Sequence, residues 1–180
     1  MRLFILGIVA GVIGIAAAVY IYFDKGFAPV ASSAQAMPFE KMLARKALHA
    51  RVEKEMPKEM PLSWSEDNLV AGARIYKDNC AVCHGGTAGE QSYIALGMYP
   101  KPPKLLQGTG VTDDPPQETY WKVANGIRMT GMPGFRKMLS DTEMWQVSVM
   151  LANANKLPKA AEDVLASDGV PKASAGALSK

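Results

Sequence analysis

The sequence predicts an all-α protein: a membrane-crossing N-terminal helix, a linker with a second helix, a small helical domain and a disordered tail. Three observations carry that reading. Leu3–Phe23 is an uncharged run of twenty-one residues. Behind it lie several helix-opening patterns with apolar residues three and four positions apart, and no stretch alternates as a half-buried strand does. The third observation is Cys80-Ala81-Val82-Cys83-His84, in a chain whose only two cysteines both stand in that run.

The elements follow in order. As a helix rising about 1.5 Å per residue, Leu3–Phe23 spans roughly 31 Å, the thickness of a bilayer's hydrocarbon core. A cleaved signal sequence has a shorter apolar stretch of about 7–15 residues, and the small-residue triplet Ala34-Gln35-Ala36 lies too far downstream to serve one well. Residues 1–23 are therefore expected to remain as an anchor, with Tyr20, Tyr22 and Phe23 as an aromatic fringe at the interface. Residues 24–61 read as a linker, Asp24–Met37, and a helix from Pro38 to about Glu59, stopped by Pro61. That helix carries one apolar stripe at Phe39, Leu43, Ala47 and Ala50 and another at Leu48, Val52 and Met56. It reads as a charged spacer, or as a docking helix for a partner or the membrane surface.

Residues 62–158 form the expected domain, small for a self-sufficient core. Ser65-Glu66-Asp67 reads as a cap with acidic first-turn residues, opening a helix that reaches Asn79. Further helices are expected over Gln117–Ile127 and from Asp141 to about Asn155. Between them runs a loop punctuated by Gly85, Gly86, Gly97, Pro100, Pro102, Pro103, Gly108 and Gly110. Residues 159–180, rich in Ala, Ser, Gly and Lys, are expected to be mostly disordered.

C-x-x-C-H is the attachment signature of a c-type haem. Two thiols three positions apart on a helical turn reach both vinyl groups of one porphyrin, and the following His ligates the iron. A thioredoxin-like pair would want a βαβ context, and a zinc site wants three or four ligands. The remaining histidine is His49, far upstream, so one covalent haem c, held by Cys80, Cys83 and His84, is the expected cofactor. Its mass supplies the apolar body that so short a domain lacks. No His follows His84, so a second iron ligand must be a methionine. Pro133 pushes Met132 into extended geometry, and Gly131 and Gly134 let the backbone approach a flat ring. Met132 is the expected ligand and Met129 the rival. Trp121 and Arg128, an indole N–H and a guanidinium, are nominated as donors to the haem propionates.

With Gly72-x-x-x-Tyr76 leading into the haem motif, Pro103-Lys104-Leu105 after it, then Met132-Pro133 and a last helix with Trp145 and Leu151, the chain resembles class I cytochrome c, specifically its membrane-anchored bacterial monohaem type. The resemblance implies a small helical fold around one haem, its first and last helices crossing at Gly72, with Met150 where an aromatic usually stands. It also implies that a proline carbonyl, best matched by Pro103, accepts the His84 ring N–H. Such a bond fixes the tautomer and strengthens the ligand.

The functional expectation is a membrane-tethered electron carrier, its iron cycling between Fe(II) and Fe(III), taking electrons from a membrane or periplasmic donor to a terminal acceptor. The alternatives are a cytochrome c subunit of a larger dehydrogenase or oxidase, and a ligand-binding haem enzyme or sensor. With both axial positions filled the chain is not expected to be an enzyme in itself. Redox proteins in or at the membrane are the expected partners. A net charge of +3 argues against nucleic acid. Since haem is attached on the exported side, the domain is expected at the periplasmic face of a bacterial inner membrane, on a single-pass anchor. From Glu66 to Lys156 nine acids and nine bases cancel, so tethering rather than net charge is expected to bring partners together.

Overall fold

A computed structural model of the chain describes residues 1–89, 91–107 and 114–167. It divides into two units, Met1–Ala44 and Arg45 onward. In the first, α1 spans Arg2–Asp24, buries none of its 23 residues, and is long and apolar enough to cross a bilayer. In its last turn Tyr22 stands edge-on to Phe23, and it stacks with Phe27 just beyond the helix, ring centres 5.5 and 6.3 Å apart.

α2, Glu40–Glu55, runs across the division between the units. It starts two residues later than Pro38 because Phe39 is in the left-handed region, φ +64°. The Glu40 carboxylate reaches back to accept the Met37 backbone N–H at 2.9 Å. The helix ends before Glu59 because Pro57 disfavours helical geometry at Met56.

The second unit holds α3 (Glu66–Asn79), α4 (Ala81–His84), α5 (Tyr93–Leu96), α6 (Pro116–Asn125), α7 (Asp141–Ala152) and α8 (Lys159–Ala166), with no strand among the described residues. Ser65 caps α3, its hydroxyl accepting from the Asn68 N–H at 3.3 Å. Ser140 caps α7 in a reciprocal box: its hydroxyl takes the Glu143 N–H, and the Glu143 carboxylate takes the Ser140 N–H at 2.7 Å. Pro116 sits in the first turn of α6, where its missing N–H costs nothing.

α7 is the central helix, packed on α3 and α6, while α8 packs on α3. Seven of its twelve residues are buried, and Met144, Val147, Val149 and Met150 are closed off from solvent. Across from them lies Tyr76, also fully buried. α3 and α7 approach so closely at Gly72 that a Cβ there would stand 2.7 Å from Met150 Cβ. Tyr120 of α6 stacks on Trp145 of α7 at 4.2 Å and 14°, and its hydroxyl donates to Asp141.

α8 departs from the expected disordered tail. Ala161 and Leu165, four residues apart on one face, are buried, and Leu157 and Val164 pack on the same core. Lys77 of α3 donates to Ser167 at 2.7 Å just past the helix end. A composition rich in small and polar residues concealed one amphipathic turn pair with somewhere to go. The rest of that expected tail, residues 168–180, lies outside the described residues, as do Gly108 and Gly110.

Candidate haem-binding site

α3 ends at Asn79 and the chain re-enters a single helical turn at Ala81, with Cys80 closing one helix and opening the next. That turn places Cys83 and His84 side by side, one turn on from Cys80 at its start, all three half-buried. Gly85, at φ +83°, then turns the chain away. The turn is fastened from two sides. The Tyr76 hydroxyl donates to the Gly85 carbonyl at 2.8 Å, and the Ser92 hydroxyl donates to the Val82 carbonyl at 2.5 Å. Ser92 also accepts from the Ala95 N–H at 3.2 Å and so caps α5.

His84 Nδ1 lies 2.8 Å from the Pro103 carbonyl oxygen. A carbonyl can only accept, so Nδ1 carries the proton and donates, leaving Nε2 with its lone pair. Burial pushes His84 below its ordinary value, the bond to Pro103 working against that, so the ring is neutral at pH 7. A neutral imidazole with one nitrogen committed is a metal ligand held in a single tautomer. The Pro103 segment is itself tied down, since Gln91 Nε2 donates to the Pro102 carbonyl at 2.9 Å. Burial, reinforced by Cys83, pushes the Cys80 thiol up to about 12, so a free thiol there stays protonated.

The Met132 loop closes on itself. The Ile127 N–H donates to the Met132 carbonyl at 3.2 Å and the Phe135 N–H to the Val123 carbonyl at 2.9 Å. The Thr130 hydroxyl accepts from the Met132 N–H at 3.1 Å. Glycine serves this loop differently from what the sequence suggests. Gly126 and Gly134 let two stretches of backbone cross: a Cβ on Gly126 would lie 2.5 Å from Gly134 N, and one on Gly134 would lie 2.8 Å from the Asn125 carbonyl. A Cβ on Gly131 would collide with the Met98 methyl and stand 3.3 Å from its sulfur. Met98 therefore shares this corner, although sequence singled out only Met132 and Met129.

Met132 is half-buried against the core, whereas Met129 points into solvent at 91% exposure, φ +60°. Trp121 is half-buried on α6, and Arg128 is exposed on the loop after it. Among the described residues no three His, Cys, Asp or Glu side chains gather into a metal-binding cluster. The donor set fits a c-type haem: two thiols and an oriented imidazole from one turn, and a thioether from a pinned loop. Tyr76 was read from sequence only as part of the pattern leading into the haem motif, and Ser92, which also holds the turn in shape, escaped it, although Ser92 three residues before Ala95 has the spacing of a cap.

An all-helical domain with this turn and this methionine loop resembles a class I cytochrome c domain. Residues 67–149 match the family described as cytochrome c oxidase, cbb3-type, subunit III. Among curated proteins the chain is 32% identical over 97 residues to the cbb3-type cytochrome c oxidase subunit FixP of Sinorhizobium medicae, covering 49% of this chain and 30% of that one. It is 32% identical over 82 residues to the cbb3-type cytochrome c oxidase subunit CcoP of Azospirillum brasilense, covering 46% and 27%. This chain spans less than a third of the length of these relatives. Among solved structures, one from the reducing HAO-like protein complex of Kuenenia stuttgartiensis overlays at a TM-score of 0.46 and 28% identity, over 57% of this chain and 52% of that one.

Proposed function

We propose that this chain is a membrane-tethered one-electron carrier with a single haem c, delivering to a terminal oxidase at the periplasmic face of a bacterial inner membrane. The bond from His84 to Pro103 carries the reading. It orients a neutral imidazole immediately after two cysteines that can anchor a porphyrin. Cys80 and Cys83 would hold the group through thioethers, His84 and Met132 would ligate its iron, and Trp121 and Arg128 would donate to its carboxylates. When bound, the haem supplies a reversible one-electron couple. The protein's own work is to hold both ligands in place and to keep water and competing ligands out.

Two segments surround the site, residues 91–107 with Pro103 and residues 125–140 with Met132. They carry Lys101, Lys104, Arg128, Arg136 and Lys137 and no acid. Charge that cancels over the whole domain is thus locally positive here, which suits an acidic docking surface.

The experiment is spectroscopic. Met132→Ala should keep its covalent haem, lose the far-red band of methionine-ligated Fe(III), and bind added ligands. Met129→Ala should keep the band. The opposite pattern refutes the ligand assignment, and a wild-type protein that is high-spin and binds ligands freely favours a haem enzyme or sensor.

A second reading, a fixed subunit of an oxidase complex, is favoured by the similarity to FixP and CcoP. Co-migration of the haem chain with oxidase subunits after mild detergent extraction would support it. A chain that extracts alone supports the free carrier.

A further inference from the structure

α2 carries apolar side chains on two opposite faces, and the fold buries only one. Val52 is 2% exposed, with Leu48 and Met56 half-buried beside it. Nine residues make two and a half turns at 3.6 residues per turn, so Leu43 lies across the helix from Val52. Leu43 is 59% exposed, Ala47 and Ala50 on its side are exposed, and so is Phe39 at the helix start. Among the described residues α2 packs against no other helix.

We propose that this open face lies on the membrane that holds α1, its apolar stripe at the boundary between headgroups and acyl chains and its basic residues on anionic lipid phosphates. Charge identifies the occupant. Lys46 and Arg51 flank the stripe on its two sides, against Glu40 as the one acid between Phe39 and Arg51. Arg51 pairs with Glu55 at 2.7 Å, but both side chains are in solvent, where such a pair is readily exchanged for another anion. Basic residues beside an anchor are attracted by anionic lipid within a Debye length of the surface.

Chain length makes the contact reachable. Fifteen residues separate Asp24 from Glu40. A flexible chain of that length reaches about 20 Å on average. The first turn of α2 belongs to the same unit as α1. A free helix with this few large apolar side chains would bind a bilayer weakly. A tether that holds it at an effective concentration approaching mM makes weak binding sufficient. A protein groove is the poorer match, because the face lacks the Trp, Tyr or clustered large anchors that dominate protein interfaces. In this arrangement α2 lies along the membrane instead of holding the domain away from it.

In the haem-loaded full chain both native cysteines are thioethers, so one introduced cysteine is the sole free thiol. A nitroxide on Ala47→Cys reports the stripe, and one on Arg45→Cys reports the opposite side. In vesicles of phosphatidylcholine mixed with phosphatidylglycerol, the Ala47 label should lose access to a water-soluble nickel chelate while the Arg45 label keeps it. Adding Lys46→Glu and Arg51→Glu should restore access at position 47. An unchanged haem spectrum in each variant shows that the domain is intact and separates this test from that of electron transfer. Equal chelate access at both positions in the acidic vesicles overturns the proposal. So does protection that is the same in pure phosphatidylcholine, or that appears only when an oxidase is added.

Discussion

Replacing Gly72 by alanine sets two effects of known sign against each other. In a helix interior alanine is favoured over glycine by about 1 kcal/mol, so a solvent-facing site would gain stability. Gly72 faces α7. A Cβ there would stand 2.7 Å from Met150 Cβ and 2.8 Å from Gln146 C, with the Gln146 carbonyl oxygen nearer still. Real Cβ contacts essentially never fall under 3.0 Å. None of these atoms is the flexible end of a side chain, so the helices themselves must separate, along a seam that includes the fully buried Tyr76, Val147 and Met150. Overpacking of this kind costs about 1–3 kcal/mol, and the rigid partners put this case at the upper end. The net expectation is a loss of about 1–2 kcal/mol after the helix-propensity gain. Guanidinium unfolding of the haem-loaded protein should show a lower midpoint with an unchanged slope. Gly97→Ala is the control: Gly97 is in right-handed geometry and its nearest contacts would be at 3.7 Å, so it should be near neutral. A Gly72→Ala protein as stable as wild type, or as the Gly97→Ala control, would show that the crossing has slack, and would refute the reasoning.

Three further expectations follow from the same geometry. Tyr76→Phe removes the donor to the Gly85 carbonyl and should cost about 1–3 kcal/mol in denaturant unfolding, because a buried acceptor is left unpaired. Lys122 is partly desolvated, which lowers its pKa, but Glu118 at 2.7 Å and Asp114 at 3.1 Å outweigh this and raise it above 10.5. A raised pKa on a cation means stability that is present below pH 10.5 and lost as pH climbs through the folded value. Unfolding midpoints should therefore fall more steeply above pH 10.5 in wild type than in Lys122→Met. Ending the chain at Pro158 removes α8 and the buried Leu165, and should lower stability by about 1.5–3 kcal/mol while leaving the haem spectrum unchanged.

Much of this fold could be read locally. Ser65 with two following acids marks the start of α3, and the Ser140–Glu143 spacing marks α7, because a cap is a contact between near neighbours. The C-x-x-C-H run declares its chemistry in five residues. That Met132 stands in a loop and not in a helix was legible because Pro133 acts on the residue before it. Contacts that depend on distant partners were not legible. Nothing near Tyr76 says that its hydroxyl ends on Gly85. Nothing near Gly131 says that Met98 covers it. The tail was misjudged at Lys159–Ala166 because composition averages over residues, whereas Ala161 and Leu165 need only one exposed patch of α3 to justify a helix. Phe39 shows the reverse, since a left-handed aromatic shortens a helix that composition would have carried back to Pro38.

The crossing of backbone at Gly126 and Gly134 has a consequence for the speed of electron transfer. A donor and acceptor exchange an electron fastest when few nuclei must move as charge changes, and groups fixed in advance need little rearrangement. The segment carrying Met132 is closed by main-chain bonds on both sides of the residue and seated on another stretch of main chain, with no side chain between them to act as a cushion. On the proposed ligation by Met132, such a loop would resist swinging as the iron's charge changed. The two glycines thus act as a mechanical stop, and bulk added at either would be felt as a higher reorganisation energy before it was felt as unfolding.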